Sequence, residues 1–159
     1  VPTSTPGCSL AAGQSFRAIW LKPSIAQRIG CPQDDEHVSS TAEEFFQKGY
    51  MLWRQDTREI YVLYGDGTWQ DYVDAWQEGD PAKLGYAPPP GLYEPVRGFG
   101  KVWREKLGGP DAKIGWAVEE ERAANNTLQD FQAGVMFLSA HIGANVTIVL
   151  YDDGHWERY

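Results

Sequence analysis

The chain is short of positive charge and of long apolar runs. Lys and Arg number 14 against 22 Asp and Glu, so the net charge is −8. This excess repels phosphate backbones, and no stripe of basic residues offsets it, so we expect no nucleic-acid partner. No apolar run approaches the roughly 20 residues that a transmembrane helix needs. We therefore also expect no membrane span.

Histidine is scarce, and the motifs of common enzyme classes are missing. Only His37, His141 and His155 are present, and there is no Gly-x-Ser-x-Gly, no His-Glu-x-x-His and no phosphate-binding glycine loop. We therefore expect no catalytic residues and no cofactor. One enzymatic alternative remains, a small glycoside hydrolase, because its carboxylate pair leaves no motif. The candidate carboxylates are Glu43, Glu44, Glu94 and Glu105.

The acidic stretch Asp34–His37 is the nearest approach to a metal-binding motif. Its four residues are consecutive, which points neighbouring side chains apart, and the related segment Glu119–Glu121 has no histidine. A solvated acidic loop explains such a stretch without an ion. We therefore predict no metal site.

Cysteine is limited to Cys8 and Cys31. An even pair that flanks one predicted helix indicates a disulfide if the compartment is oxidising. The alternative is two buried free thiols in a cytosolic protein. The preceding residues 1–7 are rich in Pro, Ser and Thr, which is typical of an exposed linker, and no Met or signal peptide precedes them. Both features favour a trimmed extracellular segment.

Most of the sequence consists of two diverged copies of one unit. The segment Ile60–Tyr72 returns as Thr147–Tyr159. Residues upstream match in the same order, pairing Phe16 with Phe99, Trp20 with Trp103, Ile29-Gly30 with Ile114-Gly115, and Met51 with Met136. We assign the copies to residues 8–80 and 93–159, joined by a Pro-rich connector over 81–92, within a single domain over 8–159.

Each copy predicts a helix followed by a sheet. An apolar stripe from Ser15 to Arg28 predicts a helix that Gly30 ends, with Pro23 either kinking it or dividing it in two. The counterpart covers Arg97–Leu107. Irregular acidic segments follow, over Gln33–Ser40 and Val118–Asn126, and the first copy then predicts strands over Glu44–Trp53, Ile60–Tyr64 and Thr68–Val73. The expected fold is α+β, with two tandem helix-plus-antiparallel-sheet repeats packed by pseudo-twofold symmetry.

The two Asp-Gly pairs, Asp66-Gly67 and Asp153-Gly154, predict tight hairpins. Counting outward from two-residue turns places Tyr64 opposite Trp69, and Tyr151 opposite Trp156. Flat aromatic rings beside carboxylates and amides suit the stacking and hydroxyl binding that a sugar needs. The alternative is that these aromatic pairs only stabilise hairpins. The predicted ligand-binding residues are Tyr64, Trp69, Asp71, Tyr151, Trp156 and Glu157.

Part of the chain resembles the LGFP repeat of extracellular actinobacterial proteins. The first copy carries Ile29-Gly-Cys-Pro32, then Phe46-x-x-Gly49-x-Met51-x-Trp53, and closes at Trp76. The second copy is similar but has Ala117 where the family has Pro, and Leu138 where an aromatic is usual. The resemblance implies a non-catalytic bacterial module that anchors proteins to cell-wall polysaccharide.

These patterns together predict an extracellular or cell-surface binding module for polysaccharide or cell-wall glycan. The alternative is a protein-interaction or spacer domain of a larger secreted protein, which would have a protein partner. The hydrolase above is the second alternative.

Overall fold

The computed structural model describes residues 7–159, and most of its regular structure is β-strand. The helices are short and the strands are more numerous than expected. The helices are α1 (Arg17–Trp20), α2 (Pro23–Ile29) and α3 (Arg97–Glu105), and a 3₁₀ turn covers Gly109–Asp111. The strands are β1 (His37–Phe46), β2 (Gly49–Arg54), β3 (Glu59–Tyr64), β4 (Trp69–Val73), β5 (Arg122–Phe131), β6 (Gly134–Leu138), β7 (Thr147–Tyr151) and β8 (Trp156–Arg158). Apart from Gly7, the predicted linker lies outside the described residues.

The eight strands form one sheet in the order β4-β3-β2-β1-β5-β6-β7-β8. Strands β1 to β4 form an antiparallel meander, and β5 to β8 form another. The expected α+β fold of two tandem helix-plus-sheet repeats is therefore wrong. Strands β1 and β5 occupy much of the two segments predicted to be irregular, and the predicted strand Glu44–Trp53 is a hairpin that turns at residues 47–48.

Polar side chains at buried positions explain why β1 was missed. Ser39, Thr41 and Glu43 are each less than 10% exposed. They occupy alternate positions of the strand. Apolar residues at these positions would have given the alternation of apolar and polar residues by which a strand is predicted. A buried strand with polar inward positions shows no hydrophobic alternation in its sequence.

The chain forms two compact units. The terminal unit comprises residues 7–39 and 125–159, and the central unit comprises residues 40–124. Each unit has its own apolar core. This division cuts across the sequence copies, because the strands of one copy and the main helical segment of the other fall in the same unit.

In the terminal unit, the helices of the first copy pack against the strands of the second. Trp20 lies in the core, and its indole N–H donates to the Gly30 carbonyl at 2.9 Å. Cys8 and Cys31 form the predicted disulfide. Pro23 begins α2 and separates it from α1, and Gly30 ends α2 with φ +80°. The buried core residues are Ala12, Phe16, Trp20, Ile25, Ala26, Ile29, Phe131, Met136, Val149 and Tyr151.

In the central unit, α3 packs against strands β1 to β4. Trp103 is fully buried, and its indole N–H donates to the Gly115 carbonyl at 2.9 Å, as Trp20 does to Gly30. The buried core residues are Phe46, Met51, Ile60, Val62, Tyr64, Phe99, Val102, Trp103, Ala112, Ile114 and Ala117. Equivalent contacts therefore recur in the two units, and each unit draws its helix from one copy and its hairpins from the other.

The Pro-rich connector contains neither helix nor strand, but its early part is fixed by Glu94. The two Glu94 carboxylate oxygens accept the backbone N–H groups of Leu84 and Tyr86 at 2.8 and 2.7 Å. The Tyr86 ring meets Trp103 edge-on at 5.6 Å between centroids. Within residues 7–159, no helix combines the length and apolarity that a membrane crossing requires.

Candidate functional site

The hairpin register differs by one residue from the prediction. Trp69 pairs with Leu63, and Trp156 pairs with Leu150. The first turn contains three residues rather than two, since the Tyr64 N–H donates to the Thr68 carbonyl at 2.8 Å. Because successive strand residues face opposite sides, Tyr64 and Trp69 lie on opposite faces of the sheet. The predicted cross-strand Tyr/Trp pairs are therefore wrong.

The two hairpin tyrosines are core residues whose rings contact cations. Tyr64 is 7% exposed and lies 4.4 Å from the Lys113 ammonium, while Tyr151 is 1% exposed and lies 3.7 Å from the Arg28 guanidinium. Burial is the main cause that raises the phenol pKa of both. Neither ring offers an open platform.

The remaining predicted residues are more accessible. Trp69 is half-buried and meets Tyr61 edge-on at 5.6 Å, while Asp71 is exposed. Trp156 and Glu157 are half-buried, and Glu157 forms an ion pair with Arg28 at 3.1 Å. The six residues thus lie on two hairpins, and within each hairpin they lie on both faces of the sheet.

The central unit contains a larger candidate site, which we call the aromatic groove. Its volume is about 1080 Å³, slightly above the usual range of ligand sites. Its walls come from β1, from the end of β2 with the turn that leads into β3, from the segment after β4, from the start of α3 and from the start of β5. The main lining side chains are Trp53, Gln55, Arg58, Asp74, Trp76, Gln77, Glu78, Arg97, Phe99 and Glu121.

Two indoles provide the aromatic surface of the groove. Trp76 is held by its indole N–H, which donates to the Pro81 carbonyl at 3.1 Å, and by its backbone N–H, which donates to Asp74 Oδ1 at 3.1 Å. Trp53 is half-buried at the end of β2, and its buried indole N–H has no hydrogen-bond partner among the described residues. Buried donors are normally satisfied, so a ligand or water oxygen at this wall would complete the pairing.

Charged side chains stand beside these rings in fixed positions. Asp74 is 10% exposed at its side chain and lies 3.9 Å from the Arg58 guanidinium. A Cβ on Gly98 would lie 2.6 Å from Asp74 Oδ1, so a larger residue there would displace the Asp74 carboxylate. Arg97 pairs with Glu121 and has φ +50°, an uncommon conformation for a residue other than glycine. The groove therefore combines ring faces with acidic, amide and guanidinium groups.

Trp53 and Trp76 are not among the ligand-binding residues that the sequence predicts. Leu138 stands where the second copy would repeat Trp53. The prediction depended on aromatics that both copies share, and those lie in the hairpins. The departure of one copy from the other was the available signal for the groove.

The four candidate hydrolase carboxylates are not among the residues that line the aromatic groove. Glu43 accepts the Tyr50 hydroxyl at 2.5 Å, Glu94 holds the connector, and Glu105 pairs with Lys101 at 3.4 Å. Glu44 and Glu94 both border a smaller pocket of about 290 Å³. Burial, together with the charges of Glu119 and Glu120, raises the pKa of Glu44 to about 8.

Comparison of the chain with models of protein families, with curated proteins and with solved structures found no significant match. The resemblance to LGFP repeats therefore stays a prediction.

Proposed function

We propose that the protein is a non-catalytic binding module for polysaccharide or cell-wall glycan, and that the aromatic groove is its binding site. The observation that carries the proposal is the pairing of Trp53 and Trp76 with fixed polar groups in one groove. Indole faces stack on the C–H faces of sugar rings, and carboxylate, amide and guanidinium groups bond the hydroxyls. The hairpin tyrosines no longer support the proposal, because their rings are buried.

The charged groups of the groove favour binding over hydrolysis. Asp74 and Glu121 each lie beside an arginine, so their carboxylates are already engaged in ion pairs. Acceptors of this kind orient hydroxyl groups, whereas a hydrolase needs one carboxyl that donates its proton to the leaving oxygen.

An extracellular location belongs to the same proposal. The Cys8–Cys31 disulfide is the observation that supports it, since such bonds persist in oxidising compartments and are rare in the cytosol of mesophiles. The anionic surface, with a net charge of −8, suits a neutral or amino-substituted polymer better than a phosphate-rich one.

The test is affinity electrophoresis of the full chain against soluble polysaccharides, with pull-down on insoluble polymers that include peptidoglycan. We expect retention on at least one polymer, loss of retention in Trp76→Ala, and unchanged retention in Trp156→Ala, which lies on a hairpin outside the groove. Circular dichroism verifies that both variants fold. No retention on any polymer, or equal retention by Trp76→Ala, would refute the proposal.

A further inference from the structure

A mixed cluster of carboxylates and imidazole lies in the terminal unit, and none of its residues lines the aromatic groove. Asp34 and His37 come from the segment that leads into β1, and Asp130 comes from β5. One ligand atom from each residue lies within 4.8 Å of the other two. The sequence separated Asp130 from the other two residues by more than 90 positions, which is why the acidic loop alone did not indicate this group.

The cluster is held by the backbone. Asp34 Oδ1 accepts the backbone N–H of Asp130 at 2.9 Å, and the backbone N–H of Gln33 donates to the Asp130 carbonyl at 2.9 Å. His37 Nδ1 lies 3.3 Å from the second oxygen of Asp34 and 3.0 Å from the Asp35 carbonyl oxygen. These bonds fix the Asp34 carboxylate and the main chain of Asp130, and so place the three side chains next to one another.

The central unit contains the same arrangement with different side chains. Val118 N–H donates to the Phe45 carbonyl at 3.0 Å, and the Phe45 N–H donates to Glu119 Oε1 at 3.2 Å. Glu119 thus corresponds to Asp34, Phe45 to Asp130, and Arg122 to His37. In this copy the second carboxylate oxygen meets the Arg122 guanidinium at 3.2 Å.

The two copies differ in whether this site carries its own cationic side chain. The central unit has one carboxylate and a permanent side-chain cation, whereas the terminal unit has two carboxylates and an imidazole that ligates metals in its neutral form. The second carboxylate, Asp130, adds negative charge where the other copy has the apolar Phe45. In the terminal unit His37 therefore takes the place of Arg122, and two carboxylates lie beside it.

We propose that Asp34, His37 and Asp130 form a binding site for a divalent transition metal ion, with Zn²⁺ as its representative. One imidazole nitrogen and two carboxylate oxygens are a donor set that zinc accepts, at bond lengths of about 2.0 to 2.2 Å. Two ligands of a tetrahedral ion with such bonds lie about 3.4 Å apart, so the cluster must contract from separations of up to 4.8 Å when the ion binds. The half-buried position leaves room for water as a fourth ligand.

The test is isothermal titration of the full, untagged chain with Zn²⁺. We expect one ion per chain, with Ca²⁺ and Mg²⁺ binding more weakly because they prefer all-oxygen ligands. His37→Arg supplies the cation that the other copy already has, so it should abolish zinc binding and still fold. Asp130→Asn, which keeps size and backbone, should also abolish it.

The matched control is His155→Ala, which removes an exposed histidine beside Asp153 in another part of the terminal unit. It should bind zinc as the unmodified chain does. Thermal unfolding adds a second readout, since an ion that binds only the folded state raises the Tm. Absence of zinc binding by the unmodified chain, or unchanged binding in both His37→Arg and Asp130→Asn, would overturn the proposal.

Discussion

The side-chain amide oxygen of Gln132 accepts the backbone N–H of Cys31 at 2.9 Å. The glutamine lies in the turn between β5 and β6, and the cysteine follows the glycine that ends α2. A Cβ on Gly30 would lie 2.6 Å from that same amide oxygen. The Ile-Gly motif therefore serves a second purpose beside ending the helix, because the missing side chain admits a glutamine from the other copy. Gln47 makes the equivalent bond to Trp116 at 3.0 Å.

These two glutamines are predicted to stabilise their units to a similar degree. Gln132→Ala and Gln47→Ala should each lower the free energy of unfolding by about 1 kcal/mol, the usual net value of a hydrogen bond whose backbone donor becomes partly exposed. Urea unfolding measures the change, and Gln27→Ala on the exposed side of α2 is the control. Equal stability of all three variants would show that the glutamines do not hold the helix ends.

The sequence was sufficient for features that depend on local chemistry. The stop at Gly30 follows from the residue itself. Pro23 predicted either a kink or a break, and the two cysteines predicted a disulfide on condition of an oxidising compartment; the structure has the break and the disulfide. The hairpin register was not available in this way, because Asp66-Gly67 fits a two-residue turn and a three-residue turn equally well at the level of sequence. One extra turn residue moved Trp69 to the other face.

The assignment of helices to sheets needed the structure for a different reason. The apolar stripe of α3 fits the hairpins of either copy, since the copies present similar apolar faces. Similarity between repeats therefore reveals duplication without revealing which copy supplies the partner. The aromatic groove was not predicted for the related reason that the second copy has Leu138 in place of Trp53.

The raised pKa of Glu44 predicts that this residue makes the fold less stable as pH rises. The pKa is 4.5 for the free side chain and about 8 in the folded chain, so between these values the folded state keeps a proton that the unfolded state has lost. The stability that this proton contributes is fully present below about pH 4.5 and is lost as the pH approaches 8. The loss in free energy of unfolding is roughly a few kcal/mol.

Glu44→Gln should remove this dependence and leave a chain that is more stable than the unmodified protein at pH 8 and above. Urea unfolding at pH values from 5 to about 9 measures the difference between the two proteins, which cancels the titration of shared groups. Glu105→Gln is the control, because Glu105 is exposed. A pH profile for Glu44→Gln that parallels the unmodified chain would contradict the prediction.

The disulfide is predicted to contribute strongly to the terminal unit. Cys8 and Cys31 are 23 positions apart, and closing a loop of that length restricts the unfolded chain by about 3 kcal/mol. Replacing both cysteines by serine should lower the free energy of unfolding by this order. Reductant should have the same effect on the unmodified chain and none on the double variant. Insensitivity of the unmodified chain to reductant would contradict the assignment.

The exchange of helices between copies predicts a specific pattern of energetic coupling. Phe99 on α3 shares a core with Ile60 of the first copy, while Val149 of its own copy lies in the other core. In double-mutant cycles, Phe99→Leu should couple to Ile60→Val by about 0.5 kcal/mol or more, and its effect should add to that of Val149→Ala within about 0.5 kcal/mol. Urea unfolding of the single and double variants provides all the values.

The tandem-repeat arrangement predicts the reverse, because α3 would then cover the strands that follow it in sequence. Coupling of Phe99 to Val149, without coupling to Ile60, would show that α3 packs against the strands of its own copy.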